Sequence, residues 1–283
     1  MKEQDFIKII QEQTASQYLG DDCAYLEDLG ITVSQDNFIE NIHFKTEWAT
    51  PYQIGYKAAA VNISDILASG AKPAYITVGL SLPNVDENFI KELYCGIQAG
   101  AYGAQVIGGD ITGGETICIS ITAIGKTLGR KISSRKNAQP SYLVIAKGDF
   151  GKSSLGLKEL INNGKKEDLI RAHLEPELDV ELSDCISTKI NTKYAMMDTS
   201  DGLADALFQI AKASNVTIIA KEIEGMFGAE DYKLVAAVPK DFANTIPDVN
   251  IIGEVVEHNG CYLQINDKKY VHFDDLDLFN HFN

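Results

Sequence analysis

The amino-acid sequence predicts a mixed α/β fold of the α+β type, built in two halves. Strand-like segments are joined mostly through helical ones, which is typical of α/β layers rather than of all-α or all-β folds. The chain has 283 residues, 45% of them hydrophobic, which suits one large domain or two. A polar, basic stretch at 126–140, KTLGRKISSRKNAQP, separates the halves. We therefore expect two domains, residues 1–130 and 131–283.

The first half is expected to centre on one long helix. Thr50 suits the N-cap of this helix and Pro51 its first turn, while Gly70 is a suitable residue to end it. Alternating hydrophobicity and turn residues predict the other elements: helices at 5–13 and 86–103, and strands at 23–27, 31–35, 74–82, 105–107 and 116–124.

The second half repeats this alternation of strands and helices. A strand at 141–146 leads into it, and a buried strand at 194–197 runs directly into a helix at 201–214. The remaining predicted elements are helices at 153–162 and 177–191, and strands at 216–221, 232–238, 251–256, 261–265 and 270–273.

Composition excludes several classes of protein. With 25 basic and 40 acidic residues, the formal net charge is −15, so binding to nucleic acid or an anionic membrane is not expected. No apolar run approaches the roughly 18 residues of a membrane helix, and we do not expect the first residues, which are charged and amphipathic, to act as a signal peptide. The five cysteines are scattered and form no CxxC pair. We expect a cytoplasmic protein.

Acidic residues recur at predicted strand ends and inside apolar segments, where an unpaired charge is costly. Convergence of these carboxylates on a hard cation such as Mg²⁺ would explain their positions. Taken singly, each aspartate could instead serve a turn, and Ser200 or Asp201 could be the N-cap of the helix at 201–214. The six aspartates are Asp22, Asp36, Asp65, Asp110, Asp198 and Asp201.

Two glycine-rich segments could cradle phosphate. GGDITGG at 108–114 follows a strand, so its amides could wrap phosphate oxygens. AKGDFGKSS at 146–154 lies between a strand and a helix and nearly matches a P-loop, but Ala146 replaces the first glycine. In that alternative, Lys152 would be the phosphate-binding lysine and Asp198 a Walker-B aspartate.

Seven segments together match a known family, in order, over nearly the whole chain. On these segments the chain resembles the thiamine-monophosphate kinases (ThiL) of the PurM-like superfamily, which is related to aminoimidazole ribonucleotide (AIR) synthetase. The segments are GDDCAYLE (20–27), VSQDNFIENIHF (33–44), GYKAAAVNISDILASGAKP (55–73), GLSLP (79–83), IGGDITGGETICISITAIG (107–125), MDTSDGLADAL (197–207) and GAEDYKL (228–234).

The resemblance implies a two-domain PurM-like fold, with an N-terminal sheet domain that forms a homodimer and a C-terminal α/β domain. It implies in-line, Mg²⁺-dependent phosphoryl transfer from ATP to thiamine monophosphate. The matching metal ligands are Asp22, Ser34, Asp36, Asp65, Asp110, Asp198 and Asp201. Nucleotide contacts fall on Tyr94, Gly109, Arg135 and Ser200, and substrate contacts on His43, Glu230 and Phe279.

The departures from the family pattern lie mostly in the C-terminal half. The usual HLRPxPR reads HLEPELD at 173–179, and Gln35 replaces a usual Thr. Two alternatives therefore stay open: an ATP-dependent enzyme of the AIR-synthetase type, and a diverged protein that binds nucleotide or metal without turnover. For the kinase, the acceptor phosphate is already ionised at neutral pH, so no general base is expected.

Overall fold

The computed structural model describes residues 3–276, with side chains from Asp5 onward. It contains two β-sheets with helices packed against them, so the mixed α/β fold expected from the sequence is confirmed. Within the described residues, no helix combines the length and the apolar character needed to cross a membrane.

The elements follow one another in twelve strands and eight α-helices among these residues. The helices are α1 (Glu3–Thr14), α2 (Pro51–Ala68), α3 (Glu87–Gly100), α4 (Lys152–Ile161), α5 (Glu167–Leu174), α6 (Val180–Lys189), α7 (Leu203–Ser214) and α8 (Lys240–Ala243). The strands are β1 (Ala24–Leu26), β2 (Ile31–Ile39), β3 (Lys72–Leu82), β4 (Gln105–Gly113), β5 (Cys118–Lys126), β6 (Tyr142–Ala146), β7 (Ala195–Asp198), β8 (Val216–Ala220), β9 (Leu234–Pro239), β10 (Asn250–Glu257), β11 (Leu263–Ile265) and β12 (Lys268–Tyr270).

The first sheet has the strand order β1-β2-β5-β3-β4, and only the β3–β4 pair is parallel. Helix α2 covers one face. Its start follows the predicted signals: the Thr50 side chain caps the Gln53 amide, the Gln53 side chain returns a bond to the Thr50 amide, and Pro51 begins the helix. Gly70 follows the helix with a φ of 82°, which glycine adopts easily.

The second sheet has seven strands in the order β12-β11-β8-β10-β6-β9-β7. Strand β7 lies at its edge and runs into the loop before α7, which packs its apolar face on this sheet. The sheet therefore brings the end of β7 towards α2, which contacts it.

The strands of the two sheets divide near residue 130, but the hydrophobic core does not. The core beneath α2 includes Ile186, Tyr194 and Val238 from the later half. The boundary between residues 130 and 131 therefore stays a prediction.

Five elements differ most from the sequence-based expectation. Strand β12 ends at Tyr270, where the strand expected at 270–273 begins. Strand β2 continues to Ile39, and β4 continues through the glycines to Gly113. Helices α5 and α8 were not expected, because they are short and lack a long apolar stripe.

Candidate functional site

Three aspartates that are distant in sequence meet where β7 approaches α2. Asp22 precedes β1, Asp65 lies on α2, and Asp198 ends β7. A carboxylate oxygen from each lies within 4.8 Å of the other two. Carboxylate oxygens at such separations are typical ligands of hard divalent cations, so we call this group the acidic cluster.

The acidic cluster carries more negative charge than its surroundings offset. Asp65 accepts a hydrogen bond from Ser34, and Ser64 Oγ donates to Asp198 Oδ2 at 2.6 Å. Burial raises the pKa of Asp198 to about 7, and the charge of Asp22 adds to that effect. The pKa of Asp65 is also well above its usual value, through burial first and then through Asp36, Asp198 and Asp22.

Strand β2 brings Ser34 and Asp36 to the side of the sheet that faces α2. Their neighbours in register, Ala123 and Ile121, are buried there. The expectation that Asp36 ends its strand is wrong, since pairing with β5 carries β2 three residues further. The Asp36 amide donates to Asn62 Oδ1 at 3.0 Å, which fixes the strand against α2.

The linker between the sheets contacts the acidic cluster through Arg135. Its guanidinium Nη2 lies 2.9 Å from Asp22 Oδ1, while its amide and the Ser134 hydroxyl both donate to Asp21. Arg135 Nε is buried without a hydrogen-bond partner among the described residues. An unsatisfied buried donor beside two carboxylates is consistent with a role in binding an anion.

The loop after β7 carries Ser200 and Asp201. The alternative in which one of these residues caps the next helix is wrong, because the N-cap of α7 is Gly202, with a φ of 107°. Ser200 Oγ instead donates to Asp198 Oδ1 at 2.9 Å. One turn into the helix, burial and then Asp201 raise the pKa of Asp205 to about 7. Asp205 is not among the site residues predicted from the sequence.

Asp110 is not brought to the acidic cluster within this chain. The segment 108–114 could have formed a phosphate-binding loop, but residues 108–113 lie in β4 at the edge of the first sheet. Gly109 and Asp110 are therefore strand residues. The register places Asp110 beside Gly79 and Ser120, on the face turned away from α2. Three strand spacings, or about 14 Å, separate β4 from β2.

A cavity of about 490 Å³ opens beside Asp22, between the first strand and the linker. Its walls include Tyr25, Ser134, Lys136 and Lys193. Solvent and small ligands can therefore approach Asp22 from this side.

Comparison with known proteins identifies the family. Residues 20–127 match the model described as AIR synthase related protein, N-terminal domain. A thiamine-monophosphate kinase from Synechococcus elongatus is 31% identical, with 94% of this chain and 92% of that protein covered. The chain belongs to the thiamine-monophosphate kinase family. A second such kinase, from Bacillus subtilis, is 34% identical over 79% of this chain and 78% of its own length.

A solved member of the family has the same overall structure. AaThiL complexed with AMPPCP and TMP is 28% identical to this chain, with a TM-score of 0.89. The match covers 99% of this chain and 97% of that one. The resemblance stated from sequence is thereby confirmed.

The residues that match the family's substrate contacts lie apart in sequence but close in the fold. His43 stacks on Phe38, and its Nδ1 accepts a hydrogen bond from the Ile39 amide at 3.0 Å. A neutral His43 ring therefore carries its proton on Nε2. His43 is one of the groups whose charge lowers the pKa of Glu230, so the two side chains lie near each other. Phe279 lies outside the described residues.

Glu230 forms an ionic cluster with two buried residues that were not predicted as site residues from the sequence. Lys57 Nζ lies 3.3 Å from Glu230 Oε1, and His173 Nδ1 lies 3.5 Å from Glu230 Oε2. We call Lys57, His173 and Glu230 the Lys57 cluster.

Tyr94, which the resemblance matches to a nucleotide contact, lies on α3, half-buried against the core.

The P-loop alternative does not fit the structure. The amides of Gly151 and Ser153, at the start of α4, donate to the carboxylate of Asp231 at 2.5 and 3.1 Å. A protein carboxylate thus occupies the position that a phosphate takes in a P-loop. Lys152 is exposed and pairs with Asp149 at 2.8 Å.

Proposed function

We propose that this chain transfers the γ-phosphoryl group of ATP to thiamine monophosphate, giving thiamine diphosphate and ADP. The observation that carries the proposal is the acidic cluster, built from both halves of a chain that belongs to this kinase family. The complex of AaThiL with AMPPCP and TMP supports both substrates.

The donor set fits Mg²⁺. Asp22, Asp65 and Asp198 offer hard oxygen ligands. Burial, and then repulsion from neighbouring carboxylates, raises the pKa of Asp65 and of Asp198. When bound, Mg²⁺ supplies the positive charge that offsets repulsion between phosphates. We propose that the remaining ligands are Ser34, Asp36 and Asp201 from this chain, together with Asp110.

The protein's own groups position two anions for direct transfer. The acceptor phosphate needs no base, since its second pKa is about 6. Protonated Nε2 of His43 suits donation to an acceptor phosphate oxygen. The guanidinium of Arg135 and the hydroxyl of Ser200 suit the nucleotide, with Gly109 and Tyr94 at its far end. Catalysis then rests on in-line placement and charge neutralisation.

Substrate selectivity follows from the same chemistry. Free thiamine offers a neutral hydroxyl of high pKa, and we expect no residue of the site to deprotonate it. Glu230, together with Phe279, would hold the organic part of thiamine monophosphate. We therefore expect phosphorylation of thiamine monophosphate but not of thiamine.

We further propose a homodimer that completes the site. Strand β4 is an edge strand with all nine residues exposed, Ile107 and Ile111 among them. Such an edge favours association with another chain. Asp110 lies on the face turned away from its own acidic cluster, so we propose that it serves the cluster of a second copy.

The domain organisation and the location of the chain are also proposals. The division of strands between two sheets supports domains at 1–130 and 131–283. All five cysteines are free thiols, which suits the reducing cytoplasm.

The test is a direct assay. Purified protein is incubated with ATP, varied Mg²⁺, and either thiamine or thiamine monophosphate, and the products are separated by chromatography. Mg²⁺-dependent formation of thiamine diphosphate from the monophosphate alone is expected. Equal turnover of free thiamine would refute the phosphate-acceptor mechanism. No product from either would favour a diverged binding protein.

A further inference from the structure

A lysine is buried in the middle of α2, where an unpaired ammonium would be costly. Lys57 is 2% exposed. Its Nζ lies 3.3 Å from Glu230 Oε1 and 3.4 Å from His173 Nε2. Both partners belong to the later half of the chain, so the lysine connects α2 with the segment that carries Glu230.

The protons of the Lys57 cluster can be assigned from its geometry. Burial and then the charge of Lys57 lower the pKa of His173 to about 4, so its ring is neutral at pH 7. His173 Nε2 faces the ammonium and accepts from it. Nδ1 then carries the proton, 3.0 Å from Ser153 Oγ and 3.5 Å from Glu230 Oε2. Lys57 therefore contacts one carboxylate oxygen of Glu230, and His173 contacts the other.

Glu230 stays ionised because of this arrangement. Burial alone would raise its pKa, but Lys57 and then His173 hold the pKa below its usual value. Its side chain remains 27% exposed, whereas Lys57 is almost fully enclosed. Glu230 can therefore touch a bound molecule that Lys57 cannot reach.

The backbone of Glu230 is fixed to the loop after β7. Its amide donates to the Ser200 carbonyl at 2.7 Å, and its φ of 64° is left-handed. Ser200 is separately anchored, since its hydroxyl donates to Asp198. Loss of Lys57 would therefore free the Glu230 side chain but leave the nucleotide side of this loop in place.

We propose that Lys57 is a positioning residue for the acceptor substrate: it holds Glu230 ionised and in one orientation beside His43. This inference rests on the proposed function. It assigns to Lys57 an effect on the binding of thiamine monophosphate and little effect on ATP.

The first variants are Lys57→Met, Glu230→Gln and the double variant. Lys57→Met is expected to raise the KM for thiamine monophosphate about tenfold or more, because a hydrogen bond to a charged group is lost. The KM for ATP should change less than about twofold. The double variant should be no worse than Glu230→Gln, since Lys57 acts through Glu230. It also keeps the test valid if Lys57→Met alone folds poorly, because it buries no unpaired charge.

A pH profile separates positioning from a general loss of packing. In Lys57→Met, Glu230 keeps its burial but loses its counterion, so the acid limb of kcat/KM for thiamine monophosphate should move to higher pH. The double variant should lack that shift. The groups that face Glu230 are Lys57 on α2, His173 on α5, His43 before α2, and the neighbouring Asp231 and Tyr232. Every one of these groups except Lys57 is present in Lys57→Met and in the double variant.

His173→Gln is the matched control, since glutamine can still accept from Lys57 and donate to Ser153. Its effect on KM for thiamine monophosphate should be about threefold or less, because His173 is neutral and its contact is longer. An unchanged KM in Lys57→Met, additive losses in the double variant, or an unmoved acid limb would each overturn the proposal. Absence of turnover in the unmodified protein would instead refute the proposed function.

Discussion

Helix α2 presents two buried polar groups to the later half of the chain, two turns apart on one face, and they differ in charge balance. At Lys57, one ammonium meets one carboxylate and a neutral imidazole. At Ser64 and Asp65, three carboxylates meet with hydroxyl donors from α2 and β2 and with one guanidinium, that of Arg135. The Lys57 cluster is complete without a ligand, whereas the acidic cluster needs cations. Charge balance thus separates a cluster that positions a substrate-binding carboxylate from a cluster that binds cations.

The strongest change expected is loss of turnover in Asp65→Asn. The amide keeps the shape of the side chain but removes a charged oxygen ligand at the centre of the acidic cluster. Turnover of thiamine monophosphate should fall by about three orders of magnitude, measured as thiamine diphosphate formed at saturating Mg²⁺. Full turnover in this variant would show that Asp65 is not a metal ligand.

Mixing two inactive variants tests whether Asp110 acts on the partner's acidic cluster. Asp65→Asn and Asp110→Asn should each be inactive alone. After unfolding and refolding as an equal mixture, half of the dimers are mixed, and each mixed dimer has one intact site. About a quarter of the original activity should return. If Asp110 served its own cluster, every site would stay defective and no activity would return.

The Lys57 cluster should make stability depend on pH. His173 has a pKa near 4 in the folded chain and about 6.5 when unfolded. Unfolding therefore takes up a proton between those values, and stability present above pH 6.5 is lost as the pH falls towards 4. The loss should reach up to about 3 kcal/mol. Urea unfolding at pH 7.5 and 4.5 should show a smaller loss in His173→Gln, and an equal loss would contradict the assignment.

The smallest effect is expected at Lys152. Its ammonium is exposed, and Asp231 already occupies the amides of the adjacent helix start. Lys152→Ala should change the KM for ATP less than about twofold. Complete loss of ATP binding with the fold intact would restore the P-loop alternative.

Local signals in the sequence predicted the elements that surround the site. Thr50, Pro51 and Gly70 define α2 through caps and fixed backbone angles, which are properties of neighbouring residues. The continuation of β4 through residues 108–113 was missed because glycine weakens a strand locally. Its pairing with β3, from Tyr75↔Gln105 to Leu82↔Gly113, is a long-range contact that overrides this weakness.

The site was predictable only where its residues form a family motif. Asp22, Asp65 and Asp198 stand in recognisable segments, and the structure brings them together. Lys57 and His173 are 116 residues apart, and no periodicity links them. The face of the sheet on which Asp110 lies depends on the register of β4, which sequence spacing does not give.

The melting temperature of metal-free protein tests the difference between the two clusters most directly. Without Mg²⁺, Asp65→Asn removes a buried charge that Asp36, Asp198 and Asp22 repel, so it should melt about 2 °C or more above the unmodified protein. Glu230→Gln should melt lower, because it leaves Lys57 unpaired. Mg²⁺ should stabilise the unmodified protein and Glu230→Gln, but much less Asp65→Asn. A lower melting temperature for metal-free Asp65→Asn, or equal stabilisation of all three by Mg²⁺, would contradict an acidic cluster that awaits cations.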